Sequence, residues 1–263
     1  MTKVLFVLTG AEHWWLKDGA THAGGFWSPE FVYPHHAFAE AGYEITVATL
    51  GGVPAPVDEA SLELGLQEND QASVDFQRDY LARAEIRSVL ANPARLEDLD
   101  PADYDAVFVP GGFGVFEDVA DNPVVGEVIA ASHAQGRVVA TLCSGASSLL
   151  AARNQDGSWP FVGKRITGFP TSEKIDFGVA DGAPWLLETR LTDQGAAYVA
   201  GEKHTDHVEV DGNLVTGQNG ASARQTAAAV IAKLNDPDRQ ADPAAAAIGD
   251  PAVRKVPTAA SGA

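Results

Sequence analysis

The sequence predicts an α/β fold, a doubly wound, mostly parallel sheet flanked by helices, and three observations carry that prediction. Strand-forming runs recur at Val4–Leu8, Ile45–Leu50, Ala106–Val109 and Val138–Leu142, and a Thr-Gly, Gly, Pro or Cys follows each, the pattern of central strands buried on both faces. Helix-like stretches lie between them, notably Phe31–Ala41 and Val124–Gln135, and such alternation favours a parallel sheet. Hydrophobic residues make up 45% of the 263 residues, with eleven Phe and five Trp, enough for a sizeable core.

The elements follow in order. Val4–Leu8 ends at Thr9-Gly10 and reads as a central strand. Residues 56–105 hold 13 acidic against four basic residues and look helical around Phe76–Leu90, which predicts a peripheral insertion with a solvated acidic face. The helix over Val124–Gln135 has clear punctuation: Asn122 as N-cap, Pro123 at the first helical position, Gly136 just past the end. Residues 157–182 are rich in Gly, aromatics and turn formers and resist assignment. Trp185–Leu191 reads as a helix, His207–Val210 and Leu214–Thr216 as strands around Asp211-Gly212-Asn213, and Ser222–Leu234 as a closing helix capped by Ser222. One α/β domain over residues 1–235 is expected, with a flexible Ala/Pro-rich tail over 236–263.

Composition excludes several classes of function. With 36 acidic and 18 basic residues the formal charge is −18, which disfavours nucleic acid and anionic membrane surfaces as partners. The single cysteine excludes an internal disulfide and any multi-thiolate metal site. The N-terminus has one positive charge and a five-residue apolar run, too short for a signal peptide, and no run approaches the roughly 18 apolar residues that span a bilayer. A soluble, cytoplasmic protein without metal or cofactor is expected.

That single cysteine, Cys143, follows the strand Val138–Leu142 and precedes the small residues Ser144, Gly145 and Ala146, with Leu149 and Leu150 beyond. A sharp strand-to-helix turn there would hold the thiol at a helix N-terminus, which favours thiolate. The competing reading is a small buried hydrophobe. Ligands of open α/β sheets bind beyond the carboxyl ends of the strands, where Thr9-Gly10, Pro110-Gly111-Gly112 and Cys143 are all expected to meet.

Spaced segments resemble the ThiJ/PfpI superfamily, within the class I glutamine amidotransferase-like fold, a flavodoxin-like sandwich. They are Gly24-Gly25-Phe26-Trp27-Ser28-Pro29-Glu30, Leu50-Gly51-Gly52 with Pro56, Asp58 and Ser61, Val109-Pro110-Gly111-Gly112, the Cys143 elbow, Pro184-Trp185-Leu186-Leu187-Glu188 and Thr216-Gly217-Gln218-Asn219. Together they cover about residues 3–234 and point to the branch that includes glyoxalase III and heat-shock chaperone-like proteins. The resemblance implies a catalytic Cys143 paired with Glu30. Without it, Glu30 reads equally as a first-turn acid of the helix that Ser28-Pro29 begins. Backbone N–H groups of Gly112 and Ser144 are the expected oxyanion donors.

Two departures from the pattern matter. Glyoxalase III-type members usually carry His directly after the cysteine and often another after the paired glycines, whereas this chain has Ser144 and Phe113. An alcohol offers no usable titration near neutrality. Candidate replacements are His22, His35, His36, His204 and His207, with His22 favoured as proton carrier because it precedes Glu30 in the same loop. His207-Val208-Glu209 imitates the His-x-Glu pair of glutamine amidotransferases, but the segment reads as a structural strand. The resemblance implies a cysteine-dependent enzyme acting on a small-molecule electrophile, with glyoxalase III-like conversion of methylglyoxal to lactate as the specific expectation. The alternatives are a non-enzymatic stress-response or redox protein with an oxidisable Cys143, a chaperone-like holdase, and an amidase or isonitrile hydratase-like enzyme. A homodimer is expected only because relatives commonly form one.

Overall fold

The computed structural model describes residues 1–67 and 70–236, so the predicted tail falls almost wholly outside the described residues. The first strand, β1 (Lys3–Val7), leads into a small antiparallel hairpin of β2 (His13–Trp15) and β3 (Thr21–Ala23). Then come α1 (Ser28–Glu40), β4 (Glu44–Thr49), α2 (Gln71–Leu81), α3 (Ala84–Ala91) and the short β5 (Ala94–Arg95). The next run is β6 (Ala106–Val109), α4 (Val115–Asp118), α5 (Pro123–Ala134) and β7 (Val138–Leu142). The chain closes with β8 (Arg165–Ile166), α6 (Thr171–Asp176), α7 (Leu187–Asp193), β9 (Ala197–Tyr198), β10 (Val208–Asp211), β11 (Leu214–Gly217) and α8 (Ala223–Leu234).

Seven strands form one sheet in the order β10-β11-β7-β6-β1-β4-β5, parallel throughout except where β10 runs antiparallel to β11. The predicted fold class is therefore the observed one. Every residue of β6 and β7 is buried, which is why their sequences are continuous apolar runs. The crossover from β1 through α1 to β4 steps one way along the sheet and that from β6 through α5 to β7 steps the other, so right-handed connections place α1 and α5 on opposite faces. The order reverses between β1 and β6, and a crevice opens at such a switch point beyond the strand carboxyl ends.

Local punctuation accounts for most boundaries. The Asn122 side chain accepts the Val124 N–H, Pro123 opens α5, and Gly136 adopts φ +69° beyond its end. Three expectations change. The helical insertion is two helices broken at Ala82-Arg83, and it also supplies β5, which pairs with the edge of β4. Ser222 precedes α8 without capping it; its Oγ contacts Asn219 Oδ1 and accepts the His207 N–H. The helix expected after Cys143 is a run of 3₁₀ turns over Cys143–Ala151, buried at every position up to Leu150. No helix among the described residues is long and apolar enough to cross a membrane.

Candidate active site

Cys143 adopts φ +57°, a left-handed conformation that a side chain with a Cβ rarely takes. Such strain costs on the order of 1–3 kcal/mol and persists only where the surroundings impose it. Here they do. The chain leaves β7 against the end of β6, and Gly145 passes so close to the Val109 and Pro110 carbonyls that any Cβ there would collide. The next residue is pinned as well: Ser144 Oγ accepts the Gly112 N–H at 2.9 Å and donates to the Gly112 carbonyl at 2.7 Å. Two strand ends thus clamp the turn that presents the thiol.

Glu30 sits in the first turn of α1, yet its carboxyl does not cap its own helix. Oε2 accepts the Gly111 N–H at 2.7 Å, across the switch point. The side chain is fully buried, and desolvation pushes its pKa from 4.5 up to about 8, against the opposing help of Gly111 and the Cys143 thiol. At neutral pH Glu30 is therefore a carboxylic acid. Thiol and carboxyl adjoin in an interaction that favours ionised Glu30 and disfavours ionised Cys143, although Glu30 Oε1 has no partner of regular hydrogen-bond geometry. Burial first, then the carboxyls of Glu30 and Glu173, hold the thiol well above its ordinary pKa, with the Ser144 N–H opposing. The thiolate expected from a helix N-terminus is not the resting form, because desolvation outweighs the few N–H groups there.

The expected oxyanion pair divides. The Ser144 N–H is at the sulfur, but the Gly112 N–H is spent on the Ser144 hydroxyl. Serine in place of histidine thus closes one donor as well as removing an imidazole.

Cys143 and Glu30 open into a cavity of about 840 Å³. Phe113, Phe169, Phe177 and Trp27 form an aromatic wall, with ring centroids 5.6 to 6.1 Å apart for neighbouring pairs. Phe113, at the second position where a histidine was expected, stacks on Trp14 at an interplanar angle of 7°. Of the candidate histidines, His22 and His204 line this cavity. His22 meets Phe113 edge-on at 4.5 Å, and its Nδ1 lies 2.8 Å from the Ala23 carbonyl. A carbonyl only accepts, so the neutral ring carries its proton on Nδ1 and keeps Nε2 as a base. His204 Nε2 pairs with Asp176 at 2.9 Å. His35 is buried against Tyr80, which drives its pKa down to about 4, and His36 sits between Phe76 and Tyr80. His207 contacts Glu209, which Arg165 already holds. None of these last three lines the cavity.

Two neighbours of the thiol were not anticipated, because both come from the segment that resisted assignment. Glu173, 1% exposed, accepts through Oε1 from Gln218, Asn219 and the His204 N–H. Beside it Lys174 is also 1% exposed, its Nζ without a hydrogen-bond partner, 4.0 Å from the Phe116 ring centroid and 4.9 Å from that of Trp14. Its pKa is lowered to about 7 by desolvation. Among the described residues, no group of three His, Cys, Asp or Glu could hold a metal ion.

Comparison with known proteins extends this picture. The DJ-1/PfpI family pattern matches residues 21–233. Glyoxalase 3 of Candida albicans is 30% identical over 238 residues, covering 88% of this chain and 98% of that protein. The protein/nucleic acid deglycase HchA of Pseudomonas aeruginosa is 30% identical over 225 residues, 82% of this chain and 75% of that one. The crystal structure of glyoxalase III from Candida albicans superposes with a TM-score of 0.75 at 28% identity, covering 88% of this chain and 97% of that one.

Proposed function

Because this chain belongs to the DJ-1/PfpI family, we propose that it is a cysteine-dependent enzyme acting on small reactive carbonyl compounds, with Cys143 as nucleophile and Glu30 as proton carrier. The observation that supports this most is the buried Glu30 carboxyl, held by the Gly111 N–H beside the thiol at a strained turn. A carboxylic acid there can hand its proton to a carbonyl oxygen while taking the thiol proton. The sulfur can then add without a standing thiolate. The resemblance to proteins named glyoxalase 3 and deglycase HchA favours aldehydes flanked by a second carbonyl, with methylglyoxal to lactate as the specific reaction.

In the first step sulfur bonds to the aldehyde carbon, the carbonyl π pair moves to oxygen, and Glu30 gives that oxygen a proton while recovering one from the thiol. The hydrogen on the former aldehyde carbon leaves as a proton to a base, a proton returns at the neighbouring carbon, and the hydroxyl proton passes to the neighbouring oxygen, which turns the hemithioacetal into a thioester. His22 Nε2 is that base in this proposal. Water then releases the hydroxy acid and restores the thiol, with no external oxidant or reductant. The Ser144 N–H and the Glu30 O–H together serve the developing oxyanion, since the Gly112 N–H is occupied.

A redox role is less well supported, because oxidation proceeds through the thiolate and burial beside two carboxyls opposes that form. The test is turnover of methylglyoxal by wild type, Cys143→Ala and Glu30→Gln. Loss of turnover in both variants is expected. Full activity in Cys143→Ala would overturn the proposal.

A further inference from the structure

The cavity is larger and more differentiated than a three-carbon dicarbonyl requires. At about 840 Å³ it falls within the roughly 300–1,000 Å³ of pockets that enclose drug-sized ligands. Besides Cys143 and the aromatic wall, Arg224, in the first turn of α8, lines it and is the only Lys or Arg among the described lining residues.

Four features leave Arg224 available to a ligand. Its Cζ lies 3.6 Å from the Tyr33 ring centroid, contact distance for a guanidinium lying over a ring, which leaves edge N–H donors for another partner. No described carboxylate lies within ion-pairing distance of it, so its charge is open to a ligand. Each acid lining the cavity has a carboxylate oxygen held elsewhere: Glu30 by the Gly111 N–H, Glu173 by Gln218, Asn219 and the His204 N–H, Asp176 by Lys203 and His204, and Asp58 and Asp70, through Oδ1, by backbone N–H groups that they cap. Finally, a cation in the first turn of a helix opposes the helix dipole, so the local fold gives no electrostatic reason for it, and its charge adds to the positive end of α8.

We propose that Arg224 is an anion subsite of this cavity, so that the carbonyl substrates it accepts carry a carboxylate as well as the reacting carbonyl. This deepens the reading of Cys143 as a carbonyl-directed nucleophile and rests on it for the word substrate, but the subsite itself is a matter of binding. Its chemistry is a planar, two-oxygen anion met edge-on by a guanidinium held on Tyr33.

The test compares two ligands of nearly equal shape, 4-formylbenzoate and 4-formylbenzamide, by calorimetric titration of the full chain at low salt. Wild type is expected to bind the carboxylate at least about tenfold more tightly than the amide, as a bidentate charge-assisted pair at low salt should. Arg224→Met should remove that preference and Arg224→Lys should restore part of it, with thermal melting confirming that both variants fold. Equal affinity for the two ligands in wild type, or an undiminished preference in Arg224→Met, would overturn the subsite. Turnover plays no part in the readout, so a protein inactive toward methylglyoxal could still show the preference. An active one could equally fail to show it.

Discussion

Glu30→Gln separates what the site needs from what the fold prefers. In the folded chain the carboxyl is neutral up to about pH 8, whereas in the unfolded chain it ionises near 4.5. Between those values the unfolded state releases a proton that the folded state keeps, so stability falls as pH rises. Below pH 4.5 nothing is lost. The loss from this one group is about 3 kcal/mol at pH 7 and up to about 5 kcal/mol as pH passes 8, from 1.36 kcal/mol per unit. Glutamine has nearly the same shape, can accept the Gly111 N–H through its carbonyl, and cannot ionise. The variant should therefore match wild type within about 1 kcal/mol near pH 4.5 and exceed it by several kcal/mol at pH 8. Urea denaturation of both proteins at pH 4.5, 6.5 and 8 gives the difference directly, and contributions from groups distant from Glu30 cancel in it. A difference that stays flat with pH, or one in which the Glu30→Gln variant becomes the less stable protein as pH rises, would refute both the burial of a neutral carboxyl and its proposed role as acid.

Further expectations concern neighbouring groups. Lys174→Met should raise the melting temperature, since an amine with a folded pKa of about 7 against 10.5 unfolded loses up to about 4 kcal/mol at pH 7, less whatever its aromatic neighbours return. The advantage should be largest below pH 7 and shrink toward zero as pH climbs to 10.5, which pH-dependent melting would reveal. Ser144→Ala orphans the Gly112 N–H and carbonyl and should destabilise by about 1–3 kcal/mol while keeping turnover, because the hydroxyl has no step in the proposed reaction; abolished turnover in a folded variant would contradict that. Gly145→Ala puts a methyl against the Val109 and Pro110 carbonyls and should cost about 1–3 kcal/mol or more, read as a lower urea midpoint. Finally, kcat should decline as pH passes about 8 if protonated Glu30 is the working acid, and a profile rising through that range would point to thiolate instead.

Much of the architecture was written locally. Val4–Leu8 and Val138–Leu142 identify strands because a strand buried on both faces leaves no polar positions, and Asn122-Pro123 with Gly136 marks a helix because capping chemistry involves only neighbours in sequence. The turn at Cys143 was legible from the β-run ending in Ser-Gly-Ala, but its role, like that of Glu30, followed only from the family-like segments around it. Tertiary structure decided the rest. Whether Glu30 is an acid or a carboxylate depends on how completely other segments exclude water from it, and no periodicity encodes desolvation. Glu173 and Lys174 reach the thiol from a stretch of turns and short elements with no repeat to read. The Gly112 N–H is lost to Ser144 across two strand ends 32 residues apart in sequence. Arg224 meets Tyr33 only because α8 packs on α1. Conformations set by adjacent residues can be read from the chain alone; protonation, occupied donors and the shape of a cavity are set by atoms distant along it, and those are the properties on which this site's chemistry turns.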